Sequence, residues 1–165
     1  MKKRELVLVS LTIMILLSAC GNDKGAAAAE NAIPVASGKP FDCNYFTMTV
    51  AEGWEAGPLT FGMVNVLPKG EVSPGLYFKF EGDGNAAGTA EGSIRSMIQN
   101  YGGSPLTDTT IAGIGFKTTT YSYSGMTQTM HVAYRNGSKI TITLEGVNAK
   151  DNPEIKAMLT TLVLK

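Results

Sequence analysis

Residues 104–147 carry no helical period and are rich in Thr, Tyr, Ile and Val. These β-branched and aromatic types suit a pleated, half-buried surface. Ser124-Gly125 and Asn136-Gly137 divide the stretch, and pairs of this kind accept the positive φ that a tight hairpin loop demands. The pattern predicts a short strand over Thr107–Ile111, then strands Gly115–Tyr123, Thr127–Arg135 and Lys139–Leu144 in an antiparallel meander. A meander must be covered on at least one face, so the rest of the chain has to supply the cover.

The register of the last hairpin follows from its apolar residues. A two-residue Asn136-Gly137 loop pairs Val132 with Thr141 and puts His131 opposite Ile142. A three-residue loop, Arg135 to Gly137 with Gly137 left-handed, pairs Val132 with Ile140 and Met130 with Ile142. The second register gathers the apolar residues on one face and is the one expected.

Upstream, Phe46, Met48 and Val50 alternate with Thr47 and Thr49, which predicts another half-buried strand. Ala51-Glu52-Gly53-Trp54 reads as a turn, with Trp54 as a core plug at the strand end, and Pro58 follows. Phe61 to Leu67 is a second apolar run, stopped by Pro68-Lys69-Gly70. Leu76, Phe78 and Phe80 alternate with Tyr77, Lys79 and Glu81 as a third strand. Behind the glycine-rich stretch Gly82 to Gly88, Thr89 can cap a helix whose apolar stripe is Ile94, Met97, Ile98 and Tyr101. Gly102-Gly103 stops it. A closing helix is capped by Asp151 or Asn152, has Pro153 in its first turn, and carries Ile155, Met158, Leu159 and Leu162 on one side. The tail Thr161–Lys165 finishes extended. The expected fold class is α+β: an antiparallel sheet of about six to seven strands, with an internal helix and a C-terminal helix packed on it.

The N-terminus is of another kind. Lys2, Lys3 and Arg4 precede an apolar run, Leu6 to Leu17, broken only by Ser10 and Thr12. As a helix the run would reach ~18 Å, short of the ~30 Å hydrocarbon core of a bilayer but suited to the apolar region of an export signal. Leu17-Ser18-Ala19-Cys20 follows, a lipobox. The whole resembles a bacterial lipoprotein signal. That resemblance implies cleavage before Cys20, a thioether-linked diacylglyceryl on its sulfur, and a further acyl chain such as palmitate on the new amine. Two or more chains hold a protein firmly on a bilayer. Gly21 is not the Asp that often marks inner-membrane retention, so in a Gram-negative cell the periplasmic face of the outer membrane is favoured. The organisation expected is a signal peptide over 1–19, a lipidated cysteine with a flexible tether over 20–39, and one domain over 40–165.

Charge and cysteines exclude whole classes. Without residues 1–20 the chain keeps eleven basic and thirteen acidic residues, a formal net charge of −2, with no block of one sign. Nucleic acid is therefore not an expected partner. With Cys20 taken by lipid, Cys43 is a lone thiol, expected to be a buried small apolar residue, with pairing between chains as the alternative.

The order of elements resembles the PsbP-like superfamily, which includes the DcrB-type bacterial lipoproteins. Three places carry the resemblance: the strand running into Gly53-Trp54, Ile111-Ala112-Gly113 leading into the meander, and the closing Met158 to Leu164. Ala51 stands where the family often has proline. The resemblance implies an antiparallel sheet covered by helices, and binding or accessory modules without shared catalytic residues.

The candidate sites are few. Gly82-x-Gly84-x-x-Ala87, between a strand and a helix, loosely matches a dinucleotide-binding loop, but antiparallel surroundings argue for a plain connector. Glu81, Asp83 and Asn85 alternate like the start of a calcium loop, yet Ala86 holds the place of the required glycine and Gly92 that of the bidentate glutamate, so a solvated loop is the expectation. His131, the single histidine, alternates with Met130 and Val132 and is expected on the less apolar strand face, in a structural role. Zinc is not expected, for want of ligands. Tyr121, Tyr123 and Met126 cluster at one hairpin, with Tyr134 on the neighbouring strand, and are the possible interaction surface. The functional expectation is a membrane-anchored envelope lipoprotein that binds a protein or envelope component without catalysis or cofactor. The alternatives are a small-ligand or metal-binding lipoprotein and, less favoured, a hydrolase.

Overall fold

The structure is a computed structural model that describes residues 36–82 and 88–165. Cys20, Asp83, Asn85 and most of the stretch read as tether lie outside the described residues. In chain order the elements are β1 Gly38–Asp42, β2 Phe46–Ala51, β3 Trp54–Pro58, β4 Met63–Pro68, β5 Gly75–Glu81, α1 Ala90–Tyr101, β6 Thr107–Ile111, β7 Ile114–Tyr123, β8 Met126–Arg135, β9 Ser138–Glu145, α2 Pro153–Thr160 and β10 Val163–Leu164. Seven strands form one sheet in the order β3-β4-β5-β9-β8-β7-β6, and β1-β2-β10 form a second. Every pairing is antiparallel. The fold is α+β, as the alternation of the chain implied.

Two strands stand where other things were expected. β1 starts at Gly38, inside the stretch read as tether, and a Cβ on Gly38 would collide with the Val50 carbonyl across the ladder, so only glycine fits there. β3 replaces a turn and short loop. Its residues, Trp54-Glu55-Ala56-Gly57-Pro58, carry weak strand signals, but β3 is an edge strand and Pro58 can end it without losing a ladder bond.

The large sheet is buried on both faces. On one face Val66, Leu76, Phe78, Phe116 and Ile142 pack against Phe46 and Met48 of β2 and against Ile155 and Met158 of α2. On the other face Ile94 of α1 is fully buried against β7 and β8, as is Val132 beneath it. This two-sided burial corrects the expected register. Val132 faces Thr141 and His131 faces Ile142, so the loop is the two-residue Asn136-Gly137 turn, with φ of 49° and 76° at its central residues. The longer loop is favoured only where a strand buries a single apolar face. Here Val132 goes to the α1 layer and Ile140 and Ile142 to the opposite core, so both registers would bury apolar residues, and the type I′ turn matched to strand twist wins.

The caps follow their residues. Thr89 accepts from Gly92 N at 3.0 Å to open α1, and Gly102 closes it in the left-handed conformation. Of the two caps weighed for α2, Asn152 is used: its Oδ1 accepts from Ile155 N at 2.8 Å. Asn152→Ala is expected to cost about 1 kcal/mol, seen as a lower urea midpoint at unchanged slope.

Candidate functional site

Strand direction sorts the loops into two ends. The ten-residue strands β7 and β8 set those ends about 30 Å apart. At one end lie the starts of β3, β5 and β8, the finishes of β4, β7, β9 and α1, and the first described residues beside Glu52. The β3–β4, β8–β9 and β6–β7 turns lie at the other.

The hairpin named as an interaction surface divides. Tyr121 is buried, 6% exposed, with its hydroxyl donating to Gln128 Oε1 at 2.7 Å, so it is a structural residue and not surface. Gln128 in turn donates to Glu145 Oε2 at 2.5 Å. Burial, then the neighbouring Tyr101, Glu145 and Tyr123, push the Tyr121 phenol pKa up. Tyr123 and Met126 face each other across the turn and are 49% and 41% exposed. A residue that the hairpin pattern alone does not reveal joins them: Tyr101, the last of α1, lies edge-on to Tyr123 at 5.4 Å and stacks on Tyr121 at 5.6 Å. The i, i+7 spacing from Ile94 puts Tyr101 on the apolar stripe, but at the last position of the helix it stays 42% exposed. Tyr134 does not belong to this cluster. It sits at the opposite end of β8, paired with Lys139.

His131 is not on the less apolar face. It is 6% exposed, opposite Ile142, with the Phe116 ring edge-on at 6.5 Å. His131 does alternate with Met130 and Val132, but those two lie under α1 and His131 faces the main core. Thr118 Oγ1 donates to Thr109 Oγ1 at 3.1 Å, so at 2.8 Å from His131 Nδ1 it accepts that nitrogen's proton. Burial lowers the imidazole pKa to about 4.

Glu81 is occupied by lysines, with Lys79 Nζ at 3.0 Å and Lys139 Nζ at 3.5 Å. Burial opposes ionisation, but the Lys79 hydrogen bond and the charges of both lysines outweigh it and hold the carboxyl below its usual range. Among the described residues no three His, Cys, Asp or Glu side chains gather as a metal site. The strand and helix flanking Gly82 are present, yet β5 is antiparallel to both neighbours, not part of the parallel unit a dinucleotide loop requires. Cys43 is half-buried, not fully buried, with Sγ 3.5 Å from the Phe46 carbonyl. Trp54 is half-buried against the core and opens β3. With Phe41 and Ala56 it walls a cleft of about 810 Å³ between β1 and β3, rimmed by Lys39, Glu52 and Lys69.

No family model matches the chain, and no curated protein matches it. Solved structures do. A protein from Bacteroides thetaiotaomicron is similar with a TM-score of 0.54 at 13% identity, over 78% of this chain and 48% of that one, so this chain spans about half of that protein's length. The cyanobacterial PsbP (CyanoP) of Synechocystis is similar with a TM-score of 0.53 at 12% identity, over 81% of this chain and 96% of that one. At such identities the likeness is one of fold, and the fold is PsbP-like.

Proposed function

We propose that this PsbP-like protein is a lipid-anchored accessory module of the bacterial envelope, held by acyl chains on Cys20, and that it works by binding and not by catalysis. The observation that carries the reading is the exposed cluster Tyr101, Tyr123 and Met126, assembled from α1 and the β7–β8 hairpin at one end of the sheet. Aromatic and methionine side chains are enriched at contact surfaces because they offer large area at low entropic cost. The setting of His131 supports the non-catalytic half: its burial and lowered pKa suit packing.

A photo-crosslinking residue at Met126, in cells of the source organism, is expected to trap an adduct of protein or lipid. Tyr101→Ser with Tyr123→Ser should remove it while leaving the melting temperature near that of the parent. The anchor is read separately: labelled palmitate should enter the protein and be lost in Cys20→Ala. The second reading is a small-ligand carrier, favoured by the Trp54 cleft, whose volume lies in the range of ligand pockets. Native mass spectrometry would then find an added mass below about a kilodalton, removed by Trp54→Ala, and no adduct at Met126.

A further inference from the structure

The end that carries Tyr101, Tyr123 and Met126 holds more exposed apolar surface than those three. Gly146 N donates to Thr127 O at 2.9 Å, which sets the β9 exit beside Met126, and the next residue, Val147, is 81% exposed. A Cβ on Gly146 would meet Ser73 Oγ at 2.5 Å and Pro74 Cα at 3.2 Å, so the β4–β5 loop abuts the same place. Val72 in that loop is 79% exposed. Five apolar side chains from four separate segments thus ring one end of the domain, where lone surface apolar residues would need no explanation.

The described chain begins at this same end. Glu52 N donates to Ser37 O at 3.0 Å, and Gly38 pairs with Ala51 just before the β2–β3 turn. Fifteen residues, 21–35, lie between Cys20 and Ala36, with a contour of at most about 50 Å. The chain therefore leaves the described domain toward Cys20 at the ringed end. Bringing the other end down would use up about 30 Å of that contour in passing the domain.

We infer that the bilayer surface itself is what covers this end: Tyr101, Tyr123, Met126, Val147 and Val72 rest in the lipid interface while the Phe61 turn points away. The inference rests on the lipid anchor at Cys20 proposed above and names the partner of the same surface. Tyrosine suits the headgroup level, where its ring is half in apolar and half in wet surroundings. Glu52, Lys69 and Glu71 give this end mixed charge, so docking depends on apolar contact and should change little with salt.

The test uses the full lipoprotein, acylated in cells and reconstituted into vesicles of phosphatidylcholine and phosphatidylglycerol with brominated chains. Trp54→Phe removes the native reporter, and Tyr123→Trp, Val147→Trp and Phe61→Trp each add one. Tyr123→Trp and Val147→Trp are expected to lose emission to the brominated chains relative to unbrominated vesicles, with a blue shift, and Phe61→Trp to be unaffected. Equal quenching at all three positions, or none at 123 and 147 while the protein stays on the vesicles through a carbonate wash, overturns the docking and leaves the anchor intact. Release by the wash, with no lipid mass on Cys20, overturns the anchor and the docking with it. Circular dichroism of each variant confirms the fold.

Discussion

Phe46→Ala is expected to lower the unfolding free energy by about 3–5 kcal/mol, against a total of about 5–15 kcal/mol for a domain of this size. The ring is fully buried and belongs to the small sheet, yet its nearest aromatic neighbour, Phe78 at 4.4 Å between centroids, belongs to the large one. Phe41 at 5.7 Å and Phe80 at 5.8 Å complete the cluster. Removing the side chain therefore opens a cavity between the layers, where strands held by two ladders cannot collapse to fill it. The urea midpoint should fall at little-changed slope. Phe61→Ala is the contrast: the ring is 90% exposed, and its loss should shift stability by no more than about 0.5 kcal/mol. A loss below about 1 kcal/mol for Phe46→Ala would mean that the two sheets do not share one core.

The least legible parts of the sequence are two edge strands, β1 of the small sheet and β3 of the large one. Alternation made β2, β5 and the four meander strands legible, because each sets residues of opposite character on its two faces. β1 and β3 carry Gly38, Pro40, Gly57 and Pro58, which read as punctuation, and only their edge positions make them strands. Such a position is a property of the assembled sheet and not of the segment. The register of β8 on β9 failed for a related reason: how many faces a strand buries depends on α1, forty residues upstream, packing over Val132. The candidate surface was half legible. Tyr123 and Met126 flank a visible turn, whereas the burial of Tyr121 and the arrival of Tyr101 depend on where the helix ends over the sheet.

His131 gives the second large effect. Between about pH 6.5 and 4 the protein should lose stability at roughly 1.4 kcal/mol per pH unit, about 3 kcal/mol in all. The folded pKa is about 4 because burial disfavours the imidazolium, and the unfolded value is near 6.5. Above 6.5 both states are neutral and the slope is zero. In the window the unfolded chain binds a proton that the folded one refuses, so stability falls as pH falls. Below about 4 both are protonated and this contribution stops changing. Glu81 acts lower: its depressed pKa contributes stability that is present above the ordinary carboxylate value and lost as pH falls through the folded one. Urea unfolding at pH of about 7.5, 5.5 and 4.5 reads the slope, and His131→Gln, whose amide can still donate to Thr118, should flatten it. A flat parent, or a glutamine variant with the parent's slope, would sink the assignment. The same measurement bears on function. A general base is poised with its pKa near the working pH, whereas an imidazole that stays neutral until about pH 4, with Nδ1 committed to Thr118, is placed to fill the core between Phe116 and Ile142.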